Sequence, residues 1–132
     1  MKVLALDYGL ARTGVAVSDP TGTVARPLAV VERATTDAGL ARIVALAREE
    51  EVDRIVVGLP LTLRGGHGEQ ALETERFVEG LRRAVDRPVE TFDERFTTRL
   101  AQGSPGGRAD EDARAAAHLL ETYLEWLSAA TT

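Results

Sequence analysis

Val3-Leu4-Ala5-Leu6-Asp7-Tyr8-Gly9 is the stretch on which the fold turns. Its first four residues are apolar without a break and favour extended backbone, the pattern of a strand covered on both faces rather than one with a wet side. Asp7, Tyr8 and Gly9 close it. Outward from there, Gly14-Val15-Ala16-Val17-Ser18 predicts a second strand, and the turn signal Asp19-Pro20-Thr21-Gly22 leads into a third over about residues 23–31. Strands joined this closely form an antiparallel meander. The period then changes: Leu40, Ile43, Val44 and Ala47 recur at helical spacing and predict an amphipathic helix over about 37–51. Arg54-Ile55-Val56-Val57-Gly58-Leu59-Pro60 is another fully buried strand, stopped by Pro60. Beyond Gly65-Gly66-His67-Gly68, the stripe Thr74, Phe77, Val78, Leu81 and Val85 predicts a long second helix. Pro88 resets the chain into a short strand, Val89 to Glu94, after which Thr97 or Thr98 caps a short helix that fails at Gly103-Ser104-Pro105-Gly106-Gly107. A last helix over about 109–128 carries Ala116, Leu119, Leu120, Tyr123 and Leu127 on one face. The order βββαβαβα implies an α/β fold: one five-stranded mixed sheet, its helix-linked strands parallel, flanked by helices on both faces.

At 132 residues, 44% apolar and 28% charged, the chain has the size and composition of a single domain, 1–132, that buries a core. No apolar run approaches the ~20 residues that cross a bilayer, and the N-terminus lacks a signal-peptide pattern, so a cytoplasmic location with no membrane contact is expected. Without cysteine there is no disulfide, thiolate nucleophile or Cys-based zinc site, and His67 and His118 cannot make a His-rich cage. Any metal must sit on carboxylates. The net charge of −5 argues against nucleic acid by its sum, but the acids gather on predicted helix faces (Glu49, Glu50, Glu51; Glu69, Glu73, Glu75, Glu79). Arg12, Arg26, Arg64, Arg95, Arg99 and Arg108 lie instead in or beside predicted loops and strand ends, where guanidinium forks can grip phosphate.

A carboxylate that ends the most buried strand is costly unless water, a partner or a metal compensates it. Asp7 is such a residue, although taken alone it reads as a turn-forming Asp before Gly9. Asp93 and Glu94 end the last strand, where a salt bridge to Arg95 is the bland alternative. Asp112 adds a further acid: Ala116, Leu119 and Tyr123 follow it at offsets of four, seven and eleven, so it points with the apolar stripe toward the sheet, whereas Asp110 faces water. If the first and last strands end at the same sheet edge, Asp7, Glu94 and Asp112 converge. Carboxylate oxygens so placed suit Mg2+ or Mn2+. Two such ions about 3.5 to 4 Å apart can activate water and stabilise the leaving oxygen of a phosphodiester.

Four blocks carry a resemblance. They are Asp7-Tyr8-Gly9-Leu10-Ala11-Arg12-Thr13-Gly14 continuing to Asp19, Val56 to Leu61, Asp93-Glu94-Arg95-Phe96-Thr97-Thr98, and Asp112 with Ala115-Ala116 and Leu119 to Leu124. In this order they resemble the YqgF/RuvX family over nearly the whole chain; the first block is weak alone, and the four together are specific. The resemblance implies an RNase H-like (RuvC-like) fold. It also implies a nuclease that resolves Holliday junctions or matures the 5′ end of pre-16S rRNA, with Asp7, Glu94 and Asp112 as the catalytic, metal-binding acids. Asp93, Arg95 and Thr97 map onto supporting positions, and Arg12, Arg99 and Arg108 are the guanidinium groups expected to meet nucleic acid. Many relatives carry a longer, lysine-rich loop before the last helix. Here Gly103 to Arg108 is short and lysine-free and runs into Asp110-Glu111-Asp112, which weakens the expected grip on substrate but leaves the three acids in place.

Two rival readings belong to other classes. Asp7-x-Gly9-x-x-Arg12-x-Gly14 also resembles the phosphate-binding strand-turn of actin-like ATPases and sugar kinases, but those build a nucleotide site between two such domains and this chain holds one. A non-catalytic nucleic-acid-binding or ribosome-assembly module is the other, disfavoured because binding alone would shed negative charge. A homodimer would suit a junction cut symmetrically on two strands, whereas a single cut in rRNA needs one site. Gly65 to Gly68 reads as a plain flexible loop, His67 as a surface residue, His118 as structural and Tyr123 as core packing; Trp126 suits either the core or a dimer surface.

Overall fold

A computed structural model of the chain describes residues 1–61, 65–96 and 108–130, with the side chains of 96 and 108–110 outside that description. Its elements are β1 (Val3–Asp7), β2 (Arg12–Ser18), β3 (Ala25–Glu32), α1 (Asp37–Glu49), β4 (Arg54–Leu59), α2 (Glu69–Ala84), β5 (Val89–Asp93), a single-turn 3-10 helix (Glu94–Phe96) and α3 (Arg108–Ala130). The five strands form one sheet in the order β3-β2-β1-β4-β5. β1 and β3 run antiparallel to β2, while β4 runs parallel to both β1 and β5, the expected mixture of meander and crossovers. Pro27, which cannot donate to a ladder, lies on the edge strand β3 beside a register shift at Val15/Ala16.

Several boundaries differ from the sequence expectation by a residue or two, three of them for a visible local reason. Glu94, predicted as the last strand residue, instead opens the 3-10 turn. The Asp93 carboxylate accepts the backbone N–H of Arg95 at 2.9 Å, and this local side-chain bond competes with the ladder and ends β5 one residue early. β2 starts at Arg12 rather than Gly14 because β3 continues the pairing (Arg12 against Glu32) past the point where β1 stops. α1 ends at Glu49, and Glu51 follows in the left-handed region, φ 52°, turning the chain toward β4. Thr97, Thr98, Arg64, Arg99, the loop 103–107 and the side chains of Arg108 and Asp110 lie outside the described residues.

The two faces of the sheet are built from side chains of different size. Leu4, Leu6, Val15, Val17, Ile55 and Val57 face α1 and α2, where they meet Ile43, Leu46, Phe77, Val78 and Leu81. The alternate positions Val3, Ala5, Ala16 and Val56 face α3 and meet Ala116, Ala117, Leu119, Leu120 and Tyr123. Strand alternation extends this second series to Gly14 and Gly58, so the α3 face is low-cut toward the ends of β1 and β4. The helix therefore sits very close: a Cβ built on Gly14 would lie 1.9 Å from the carbonyl oxygen of Asp112. Tyr123 is core, as expected, and its hydroxyl joins Arg54 (2.7 Å) and Glu90 in a polar cluster. Trp126 packs on Phe92 and Tyr123 yet stays 51% exposed. Among the described residues no helix is long and apolar enough to cross a membrane.

Candidate active site at the carboxyl ends of β1 and β4

Because β1, β4 and β5 are parallel, their carboxyl ends lie at one end of the sheet. Asp7 pairs with Gly14; Leu6 pairs with Val57, which sets Asp7 beside Gly58; and Gly58 pairs with Phe92. Across the sheet the row reads Gly14, Asp7, Gly58, Phe92, at about 4.8 Å per strand. Alternation with Val3 and Ala5 turns Asp7 toward α3, where it is half-buried. The only acid of this row thus lies between two positions that carry no side chain. Gly9 keeps the turn to β2 tight: a Cβ there would lie 2.4 Å from the Arg12 carbonyl oxygen.

The other two acids reach this row from above. The 3-10 turn folds Glu94 back over β4, so that a Cβ on Gly58 would lie 2.6 Å from Glu94 Oε1 and 3.0 Å from Leu119 Cδ2. On the other flank, the backbone of Asp112 rests on Gly14. Its Oδ2 accepts from Arg12 Nε at 2.8 Å, both side chains about one-third exposed. Arg12, expected to meet nucleic acid, is thus engaged by one of the predicted metal acids.

Asp93 alternates to the opposite face from Glu94, and Arg95 holds it through Nε, 2.8 Å from Oδ2, and through its backbone N–H. Hydrogen bonding from Arg95 draws the Asp93 carboxyl below its usual range. The same guanidinium lies over Gly65, whose φ of +82° places that loop in the left-handed region. Thr97 and Arg99, and the side chain of Arg108, fall outside the described residues. His67 is exposed and lies 3.3 Å from Glu75. His118 is half-buried with its Nε2 buried and, among the described residues, without a hydrogen-bond partner.

The donor chemistry suits a hard divalent cation: oxygen donors only, on a strand end, a turn and a helix, with Gly14 and Gly58 letting the Asp112 backbone and the Glu94 carboxylate come down onto the strands that flank Asp7. Among the described residues, however, no group of three metal-ligating side chains stands ready-assembled, and the ion pair with Arg12 occupies Asp112. Sequence reasoning did not single out Gly14 and Gly58 for this role. Glycine inside a strand, a mark of close approach by other groups, was the available signal.

A mixed five-stranded sheet in this order, with helices on both faces and acids at the ends of β1 and β5, defines the RNase H-like, RuvC-like fold class. RuvC of T. thermophilus in complex with a Holliday junction substrate has this fold, with a TM-score of 0.63 at 17% identity over 100% of this chain and 98% of that one. The Holliday junction resolvase of fowlpox virus also has it, with a TM-score of 0.57 at 13% identity over 96% and 99%. The chain belongs to the RuvX family, whose model, described as Holliday junction resolvase, matches residues 1–126. A relative from Chloroflexus aurantiacus is 41% identical over 93% of this chain and 86% of its own length, and one from Anaeromyxobacter sp. is 44% identical over 95% and 97%. Both carry the name "Putative pre-16S rRNA nuclease".

Proposed function

We propose that the chain, as one nuclease domain over 1–132, is a divalent-metal-dependent endonuclease acting on nucleic-acid phosphodiesters in the cytoplasm, with the 5′ end of pre-16S rRNA as its substrate. The observation that carries this reading is Asp7 between Gly14 and Gly58, with Glu94 folded over one glycine and Asp112 seated on the other. Asp7, Glu94 and Asp112 would hold Mg2+ or Mn2+, which when bound supplies an activated water and charge stabilisation at the leaving oxygen. Gly58 leaves room for the Glu94 carboxylate beside Asp7, and the Phe92 ring below it is fixed edge-on to Tyr123. Arg12 orients Asp112 and lowers the repulsion among the three acids until the site is complete. Arg95 fixes Asp93, and with it the turn that presents Glu94.

Resolution of Holliday junctions is the second reading, favoured by the family description and the RuvC-like fold. It calls for a homodimer, because two strands are cut symmetrically. Cleavage of a pre-16S rRNA fragment and of a synthetic four-way junction, with Mg2+, Mn2+ or EDTA, tests both. The rRNA fragment is expected to be cut only when a divalent ion is present, and Asp7→Asn should keep the fold and lose at least about a hundredfold in rate. Full activity in chelator, or parental cleavage by Asp7→Asn, refutes the metal site.

A further inference from the structure

Tyr8 follows Asp7 directly, and its ring emerges on the opposite side of the sheet, stacked on Phe77 of α2 with centroids 4.6 Å apart and planes at 19°. In front of the pair opens a cleft of about 420 Å³, walled by Ala34 and Leu40 on one side and by Glu73 and Arg76 of α2 on the other. Leu10, 70% exposed, stands at its mouth, on the turn that separates it from Asp7. Gly80 also lines it, and a Cβ on Gly80 would meet nothing within 4 Å. The end of β1 therefore has two sides: a carboxylate toward α3, and an aromatic platform with an open cleft toward α2.

We propose that this cleft is a nucleobase subsite, which takes an unstacked base of the single strand flanking the scissile phosphodiester. The inference rests on the nuclease reading of Asp7 and deepens it. The half-buried Tyr8 ring, backed by the buried Phe77, is the kind of aromatic face on which splayed-out bases stack, whatever their sequence. The cleft's volume and its mostly apolar walls with a few polar groups match a site for a small flat ligand. Arg76 supplies a cation for the adjoining phosphate, and Glu73, one helical turn away, an acceptor for the exocyclic amine of cytosine or adenine. Continuity with Asp7 selects this occupant over an unrelated apolar one, because adjacent residues carry the proposed chemistry and the stacking face.

Gly80→Leu provides the test. It pushes an apolar side chain into the cleft, and it strengthens α2 because glycine is a poor helix former, so the variant should remain folded. Gln70→Leu, on an exposed position near the start of the same helix, controls for an added leucine. The probes are short single-stranded RNA and DNA oligonucleotides carrying 2-aminopurine, whose fluorescence falls on stacking, titrated in EDTA so that binding is read apart from any metal chemistry. The parent and Gln70→Leu are expected to quench the probe alike. Gly80→Leu and Tyr8→Leu should bind about tenfold more weakly with little quenching, as should the parent toward a probe with an abasic site at that position. Undiminished binding and quenching by Gly80→Leu, or equal quenching of a duplex probe, overturns the proposal. Cleavage assays with Mn2+ in parallel separate the two readings: a parent that quenches but never cuts loses the nuclease assignment and keeps the subsite, and a parent that cuts while Gly80→Leu binds normally does the reverse.

Discussion

Replacing Gly58 by alanine adds one methyl group at the most sensitive point of the candidate site. The new Cβ would stand 2.6 Å from Glu94 Oε1, 2.9 Å from its Cγ and 3.0 Å from Leu119 Cδ2, where ordinary contact begins near 3.4 Å. The Glu94 carboxyl must therefore retreat by about 1 Å, a displacement that can cost on the order of a hundredfold in rate when it falls on a group at the reacting centre. That corresponds to about 2.7 kcal/mol of transition-state stabilisation. The fold should survive. The nearest atoms are the far ends of flexible side chains, and the roughly 1 kcal/mol of overpacking is offset in part by the lower entropy an alanine leaves in the unfolded chain. We expect kcat/KM for cleavage to fall about a hundredfold with Tm within a few degrees of the parent, both measured on one preparation. Glu94→Asp in the Gly58→Ala background shortens the crowded side chain by one methylene and should recover part of the loss. Cleavage by Gly58→Ala within about threefold of the parent, at unchanged Tm, would refute the placement of Glu94 over β4 as a working part of the site.

Gly14→Ala should behave differently, because its Cβ lies 1.9 Å from a backbone oxygen that cannot swing aside; a loss of about 1–3 kcal/mol, read as a lower urea midpoint, is expected, and an unchanged midpoint would contradict the close seating of α3. Asp93 has its carboxyl drawn down by Arg95, so its contribution to stability is present above the ordinary carboxylate range, near pH 4, and fades as pH falls through the lower folded value. Asp93→Asn should accordingly be less stable than the parent at pH 7, with the gap narrowing as pH falls below the ordinary carboxylate range, followed by chemical denaturation; a gap that does not narrow in acid would remove the ion pair as its cause. His118→Leu removes a buried ring nitrogen that has no partner among the described residues and should raise stability by about 1 kcal/mol, whereas a lowered Tm would mean that the ring is satisfied in solution.

Much of the architecture could be read because each cue was local. Val3 to Leu6 are buried as their unbroken apolar run required, and Ala116, Leu119 and Tyr123 do face the sheet, with the backbone of Asp112 over Gly14. Glu94 was placed in a strand because alternation cannot register a competing side chain, and the Asp93 bond to the Arg95 backbone that ends β5 is of that kind. The pairing of Arg12 with Asp112 joins residues 100 apart, and no local pattern reports a partner at that distance. Gly14 and Gly58 were visible in the sequence, but what they leave room for comes from α3 and from the turn after β5.

The difference in side-chain size between the two faces of the sheet makes mutational tolerance one-sided. On the face toward α1 and α2, Leu, Ile and Val can exchange for one another, because volume lost at one position can be recovered at a neighbour. On the face toward α3, Ala5, Gly14, Ala16 and Gly58 are already at or near the smallest side chains available, so drift can only add atoms. Each addition would lift the helix that carries Asp112 away from the strand that carries Asp7. In a library of point variants, the two faces should therefore separate by the sign of the volume change they accept, and activity should fall before stability at Gly58 but together with it at Gly14.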